Sequence, residues 1–381
     1  MRVGINLEQL LFRTPGGIGR YTARLATLLP RLFGEDVYRG FVARHSTADV
    51  RAAADGIGLA DGPAVLPLPR PVLYDAWHVL GAPRLSVLDR TLAHLDLVHA
   101  PSLAVPPKGG AALVVTVHDA APLLFPATFT GRGRWFHARG MAAAARRADL
   151  VIAVSQSAAD EITAHTSISP HRIRVVHNGV DQVAVTDEQV TAVRRRHGLD
   201  DRPYVFWLGT QEPRKNLPLL IESFARAVTA AGLPHALVLG GPAGWLHQVA
   251  ASMPGGAELG DRLRVLGFVE DVELHALYKG ADLFAFPSLH EGFGIPPLEA
   301  MAQGTPALCT DASALPEVTD GAAMLVAPEV EAWAAALAEL LQDPARRVAL
   351  GAAGRARAAE LTWERCIRET HAVYTEAFSL Q

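Results

Sequence analysis

Short apolar runs bounded by turn residues alternate along this chain with longer stretches whose apolar positions recur at helical spacing. The runs predict buried parallel strands, and the periodic stretches predict amphipathic helices. In the first half, strands are expected at 2–7, 37–44, 95–100, 112–117, 149–154 and 172–177. A helix should follow the glycine-rich turn at 15–21 and run to Leu32. Another should span 131–148, and a third should open with Ser157 as its N-cap. Residues 47–90, cut by Pro67, Pro69, Pro71 and Pro83, give no clear pattern. A turn at 178–181 and a polar helix at 186–197 lead into a second series. Its strands are expected at 204–208, 236–239, 263–266, 281–287, 306–309 and 324–326. Its helices are expected at 217–231, 274–280, a short one stopping at Gly304, then 331–341, 344–361 and 363–378. Strand, loop, helix, strand is the grammar of a parallel, nucleotide-binding α/β unit. At 381 residues the chain exceeds the usual single domain. The expected class is therefore α/β in two domains, with the boundary in the turn at 178–181.

Composition narrows the class. Half the residues are apolar, enough for two cores, and no low-complexity segment interrupts them. No apolar run approaches the ~20 residues that span a bilayer. Residues 1–6 are too short and polar for a signal peptide and read as a first strand. Two cysteines, Cys309 and Cys366, make no disulfide framework, so a cytoplasmic setting is expected. The net charge of −4 hides an asymmetry: residues 1–180 carry +6 and the remainder −10. A basic half suits an anionic partner, although ordinary surface variation gives the same balance. Within it, Arg132, Arg134, Arg139, Arg146 and Arg147 stand among Trp135, Phe136 and Met141. That helix either lies against an anionic membrane surface or packs through its alanines with a solvated face. No nucleic-acid partner is expected.

Candidate chemistry gathers at the carboxyl ends of expected strands, where open parallel sheets bind ligands. Glu291 and Glu299 flank a glycine- and proline-rich turn, with Gly292, Phe293, Gly294 and Ile295 between them. Glu299 falls near the start of a helix, where the dipole alone would favour a carboxylate. It could equally accept hydrogen bonds from a vicinal diol such as a ribose. No helix explains Glu291, and the glycines would let backbone N–H groups approach a ligand. Arg214 and Lys215 follow the 204–208 strand and precede a helix, the setting of a diphosphate site. His118 and Asp119 follow the 112–117 strand, and Gly16 and Gly17 stand in the first turn. That turn is either a phosphate or sugar contact or a simple tight turn. The chain has no P-loop, no nucleophile elbow, no H-E-x-x-H and no zinc spacing. It also lacks an Asp-x-Asp pair, so no metal is expected and phosphate charge must be met by Arg, Lys and backbone N–H groups.

Taken together, these residues resemble a known family. Glu291 to Glu299 matches the E-x7-E motif of retaining GT-B glycosyltransferases of family 4. The likeness covers nearly the whole chain. It includes Gly16-Gly17, the His118 turn, Asn178-Gly179-Val180, the loop from Glu212 to Asn216, and the stretches beginning at Leu266 and Tyr278. The resemblance implies two Rossmann-like domains facing each other across a cleft. Residues 1–180 would form the acceptor domain, completed by a helix at 363–381 crossing back, and residues 181–362 the donor domain. It implies that Glu291 lies by the donor sugar, that Glu299 holds the ribose hydroxyls, and that Arg214 and Lys215 hold the diphosphate. His118 would contact the donor sugar or stabilise charge at the anomeric centre. Backbone groups of Gly292, Phe293, Gly294 and Ile295 would meet sugar hydroxyls, and Gly17 the phosphate. Gly16, Arg20, Tyr21 and Asp119 would serve the acceptor. Glu291, His118 and Lys215 form the implied catalytic set.

The variant of the Glu212–Asn216 loop is most similar to the mannosyltransferase-like branch, which points to GDP-mannose, with UDP- and dTDP-sugars as alternatives. The expected co-substrate is thus a nucleotide sugar, with no separate cofactor, and the acceptor a saccharide or lipid-linked molecule. One departure stands out. Many members have Gly-Arg after the first donor-domain strand, whereas this chain has Gly209-Thr210, so a phosphate contact would shift to Arg214. No residue is a confident nucleophile, so retention would proceed by front-face substitution rather than double displacement. A sugar-nucleotide epimerase and an inactive nucleotide-sugar-binding protein remain as alternative readings.

Overall fold

The computed structural model describes residues 1–12, 16–59, 62–200, 202–242 and 250–381. Pro15, expected at the head of the glycine-rich turn, lies outside them. The chain forms two compact units: residues 1–179 with 363–381, and residues 180–362. Val180 opens the second unit, where its N–H donates to the Leu361 carbonyl (2.8 Å).

The first unit is built on a seven-stranded parallel sheet. Its strands are β1 (Arg2–Asn6), β2 (Val37–Val42), β3 (Ala64–Val65), β4 (Leu97–Ala100), β5 (Ala112–Val117), β6 (Leu150–Ala153) and β7 (Ile173–Val175), in the order β3-β2-β1-β4-β5-β6-β7. Every residue of β4, β5 and β6 is buried, as strands covered on both faces require. The glycine-rich segment is helical from Gly16, the first residue of the Gly16–Leu32 helix, so the expected loop is a helix start. The proline-cut region resolves into the helices Thr47–Ala54 and Arg70–Val79, with β3 between them. The helix after β6 is capped by Ser155, not Ser157: Ser155 Oγ accepts from Ala158 N at 3.0 Å, so capping falls two residues earlier. The core closes with the Trp363–Ser379 helix, which contributes Trp363, Cys366, Ile367, Val373, Tyr374 and Ala377.

The second unit carries a six-stranded parallel sheet of β8 (Tyr204–Leu208), β9 (Ala236–Gly240), β10 (Leu263–Gly267), β11 (Leu283–Phe286), β12 (Ala307–Thr310) and β13 (Met324–Val326). Its order is β10-β9-β8-β11-β12-β13. Strand order reverses between β8 and β11, which pair side by side. A crevice opens outside the strand ends at such a switch point. The loops leaving β8 and β9 pack backbone to backbone. Gly241 adopts φ +114°, and a Cβ there would stand 2.1 Å from the Gly209 carbonyl oxygen, so only glycine fits.

Candidate functional site

Arg214, Lys215, Glu291 and Glu299 all come from the switch point of the second unit. The loop leaving β8 makes one 3-10 turn, Pro213–Lys215, before the Leu217–Ala230 helix. Pro213 presets the turn's first φ, and Asn216 supplies the left-handed residue (φ +51°) that redirects the chain into the helix. The loop leaving β11 is tied to it by Leu289 N, which donates to the Arg214 carbonyl (2.9 Å).

Here the two cations meet Glu291. Lys215 Nζ donates to Glu291 Oε1 at 2.5 Å, and Arg214 Nη1 lies 3.2 Å from Glu291 Oε2. Arg214 also donates to the His290 carbonyl (2.5 Å) and to Glu212 Oε2 (3.3 Å). Ser288 Oγ adds a hydrogen bond to Glu291 Oε1. Lys215 Nζ sits 4.9 Å from the centre of the Phe286 ring, a cation–π contact. Both members of the central pair are buried. Burial alone would raise the Glu291 carboxyl, but Lys215 and Arg214 outweigh it and hold the group down at about 2. Lys215 is pulled the other way: burial lowers its pKa, Glu291 opposes, and Arg214 adds to the lowering. The site is therefore a fixed carboxylate with two cations held at the end of an apolar sheet, where charge acts most strongly.

Ser313 secures the Glu291 backbone from the other side. Its Oγ donates to the Glu291 carbonyl (2.6 Å) and accepts from Glu291 N (3.2 Å), at a left-handed φ of +55°. Gly292, Phe293 and Gly294 are buried, and Gly294 (φ +102°) precedes the Ile295–Ala302 helix. Glu299 stands mid-helix, as its fifth residue, rather than near the start. Dipole stabilisation fades beyond the first turn, so it does not account for this carboxylate. Glu299 is 2% exposed and accepts from Tyr278 Oη at 2.9 Å. Reading the sequence missed Ser288, Ser313 and Tyr278 as supports. Tyr278 lay within the family-like stretch, but nothing about it alone pointed to Glu299.

The first-unit candidates separate. His118 directly follows β5 and is partly exposed, its Nε2–H donating to the Pro101 carbonyl (2.9 Å). Burial lowers its pKa, so the ring is neutral near pH 7 and its Nδ1 is an acceptor. Asp119 Oδ1 accepts from Ala121 N (3.0 Å) and caps a local turn. Tyr21 is a plain correction. It is fully buried, its hydroxyl is 3.1 Å from Thr116 Oγ1, and its ring meets His118 edge-on at 5.2 Å. Helical spacing turns it into the core, so it cannot meet an acceptor. Gly16 and Gly17 are exposed at the helix start, and Arg20 is partly exposed. In the Gly131–Arg147 helix, Arg132 bonds Asp75 (2.5 Å) and Arg134 the Pro126 carbonyl (3.3 Å), while Gly140, Met141, Ala143 and Ala144 face the core. Both cysteines are free and buried. Among the described residues, no three His, Cys, Asp or Glu side chains gather as a metal site, and no helix is long and apolar enough to cross a membrane.

Known proteins place this geometry. The model of Glycosyltransferase Family 4 matches residues 15–183, and that of Glycosyl transferases group 1 matches residues 189–357. The O-antigen chain mannosyltransferase B of Escherichia coli is 29% identical over 311 residues, covering 80% of each chain. The D-inositol 3-phosphate glycosyltransferase of Salinispora arenicola is 30% identical over 318 residues, covering 76% of this chain and 70% of its own. In fold, the chain is similar to Anabaena HepE, crystallised with UDP and glucose, at TM-score 0.76 and 18% identity over 99% of this chain and 100% of that one. Two successive family models spanning both units, and relatives matched along most of their own length, settle the membership: the chain belongs to the GT-B glycosyltransferases, with a family 4 first half.

Proposed function

We propose that this glycosyltransferase moves mannose from GDP-mannose to a hydroxyl of a saccharide or lipid-linked acceptor, with retention and without a metal. The single observation behind the donor site is the juxtaposition at the β8/β11 switch point: two cations on Glu291, and a buried carboxylate, Glu299, further along the same loop and helix. Lys215 and Arg214 neutralise the diphosphate as it leaves, the term that dominates such sites. Glu299, oriented by Tyr278, takes the ribose hydroxyls. Glu291 stays ionised and fixes both cations while its backbone meets the sugar. Because that carboxylate is already committed to Lys215 and Arg214, it is a poor nucleophile, which supports front-face substitution with the leaving phosphate taking the acceptor proton. The mannosyltransferase relative supports the sugar; the HepE likeness, through its bound UDP, keeps UDP-sugars as the second reading.

The test is a thermal-shift panel of GDP-mannose, UDP-glucose and dTDP-glucose, since a ligand that binds the native state raises its melting temperature. It is followed by chromatography of the released nucleotide with and without EDTA, and by anomeric coupling constants of the product. A shift with GDP-mannose alone and an α-linked product support the proposal. No shift with any donor overturns it, as does turnover of the nucleotide sugar that ignores every acceptor, the mark of an epimerase.

A further inference from the structure

Beneath the end of β5 lies a buried polar series that the donor site does not use. Tyr21, His99, Thr116 and Tyr374 come from four elements: the Gly16–Leu32 helix, β4, β5 and the Trp363–Ser379 helix. All four are fully buried. The Tyr21 hydroxyl lies 3.1 Å from Thr116 Oγ1, and Thr116 Oγ1 lies 2.8 Å from His99 Nε2. His99 Nδ1 lies 2.6 Å from the Tyr374 hydroxyl. Burial keeps the His99 ring neutral, so one of its nitrogens donates and the other accepts. Both are thereby partnered, and the hydrogen bonds run unbroken from the last helix to Tyr21. The series ends against His118. The Tyr21 ring stands edge-on to that imidazole, with 5.2 Å between ring centres. From the neighbouring strand, Pro101, just past β4, accepts the Nε2–H of His118.

Packing alone does not call for this series. Apolar side chains at the same four positions would fill the core with no buried polar atoms to satisfy. A buried network is stable only when its members find partners, and a complete one fixes orientation. Tyr21 bridges two residues at the end of β5: its hydroxyl is held at Thr116, and its ring reaches His118. The ring cannot swing away without breaking the Thr116 bond, so the imidazole is held between Tyr21 and the Pro101 carbonyl. We propose that Tyr21 is a positioning residue for His118, anchored by Tyr374 through His99 and Thr116, so that the last helix sets the tautomer and direction of that imidazole. The hydrogen bond on one ring nitrogen decides what the other can do. With Nε2–H committed to Pro101, Nδ1 is left to accept from a ligand hydroxyl. Tyr21 itself touches no substrate. This rests on the glycosyltransferase reading above, with His118 meeting a sugar hydroxyl, and adds the residues that hold His118 in place.

The test is long-range proton–nitrogen NMR of the full chain, isotope-labelled at its histidine nitrogens, together with GDP release from GDP-mannose. His118 is assigned by the signal lost in His118→Ala. Wild type should show it as a single Nε2–H tautomer. Tyr21→Leu removes the ring; it should mix the two tautomers and lower kcat about tenfold, with the donor KM within about twofold. Tyr21→Phe and Tyr374→Phe each delete one buried hydroxyl and should act the same way by a smaller factor, about threefold. In a His118→Ala background, Tyr21→Leu should lower kcat no further, because its effect passes through that imidazole. An unchanged His118 tautomer in Tyr21→Leu overturns the proposal, as does an equal fall in kcat with and without the imidazole, the mark of a loosened core. If Tyr21→Leu does not fold, the two phenylalanine variants decide, and a wild-type tautomer in both overturns the proposal. Failure of the glycosyltransferase reading is seen separately: wild type then releases no GDP, while the tautomer result stands.

Discussion

Replacing Lys215 with alanine removes one of two cations from the site where diphosphate charge is proposed to develop. Preorganised donors of this kind are worth about 3–4 kcal/mol each, so turnover should fall at least about 100-fold. The fold should survive. Stranding a buried charge costs about 3–5 kcal/mol, but Glu291 would not be stranded, since Arg214 at 3.2 Å and Ser288 remain. The expected stability loss is therefore well under that figure, a few degrees in Tm. The assay is chromatographic release of GDP from GDP-mannose at saturating donor, with donor Kd from calorimetry and Tm from scanning fluorimetry. Because Lys215 acts mainly on developing charge, kcat should fall further than affinity. A Lys215→Ala protein with wild-type Tm that turns over within about threefold of wild type would refute the reasoning, since the site would then owe little to this cation.

Three further outcomes follow from other parts of the molecule. Tyr278→Phe removes the hydroxyl that bonds Glu299, leaving the buried carboxylate one partner short; stability should fall by about 1–3 kcal/mol in urea titration, with weaker nucleotide binding. Gly241→Ala should cost about 3 kcal/mol or more and give little soluble protein, because its Cβ would meet the Gly209 carbonyl oxygen in a left-handed backbone. Burial lowers His78 to about 4 and His99 to about 3, so both stay neutral in the fold while the unfolded chain takes up protons below about 6.5. Their stability contribution is complete above that value and is lost as pH falls towards the folded values, by about 2 kcal/mol each at pH 5. Tm measured from pH 8 to 5 should drop accordingly, and His99→Gln should flatten the slope.

The parallel strands were legible because burial on both faces leaves unbroken apolar runs, as at residues 112–117. The region 47–90 was not, because β3 has only two residues and the helix after it begins between Pro69 and Pro71. Arg214, Lys215, Glu291 and Glu299 could be singled out since each stands just beyond a strand or in a turn. Their supports could not. Ser313 lies 22 residues from Glu291, and Tyr278 lies 21 from Glu299. Such pairs exist only once the strands are in register. Tyr21 shows the opposite failure: motif reading placed it at a ligand, while its helical spacing, equally visible in the sequence, turned it inward.

The Trp363–Ser379 helix has a consequence for synthesis. Residues 180–362 form a unit whose strands, helices and core are all contiguous in the chain, so it can finish folding as soon as it leaves the ribosome. The unit begun at Met1 cannot, because Trp363, Ile367 and Tyr374 complete its core, and the Tyr374 hydroxyl meets His99 at 2.6 Å. The usual order of N-terminal folding first is reversed here: residues 1–179 must wait, their sheet uncovered on that face, for residues 363–379, which are made after the second unit.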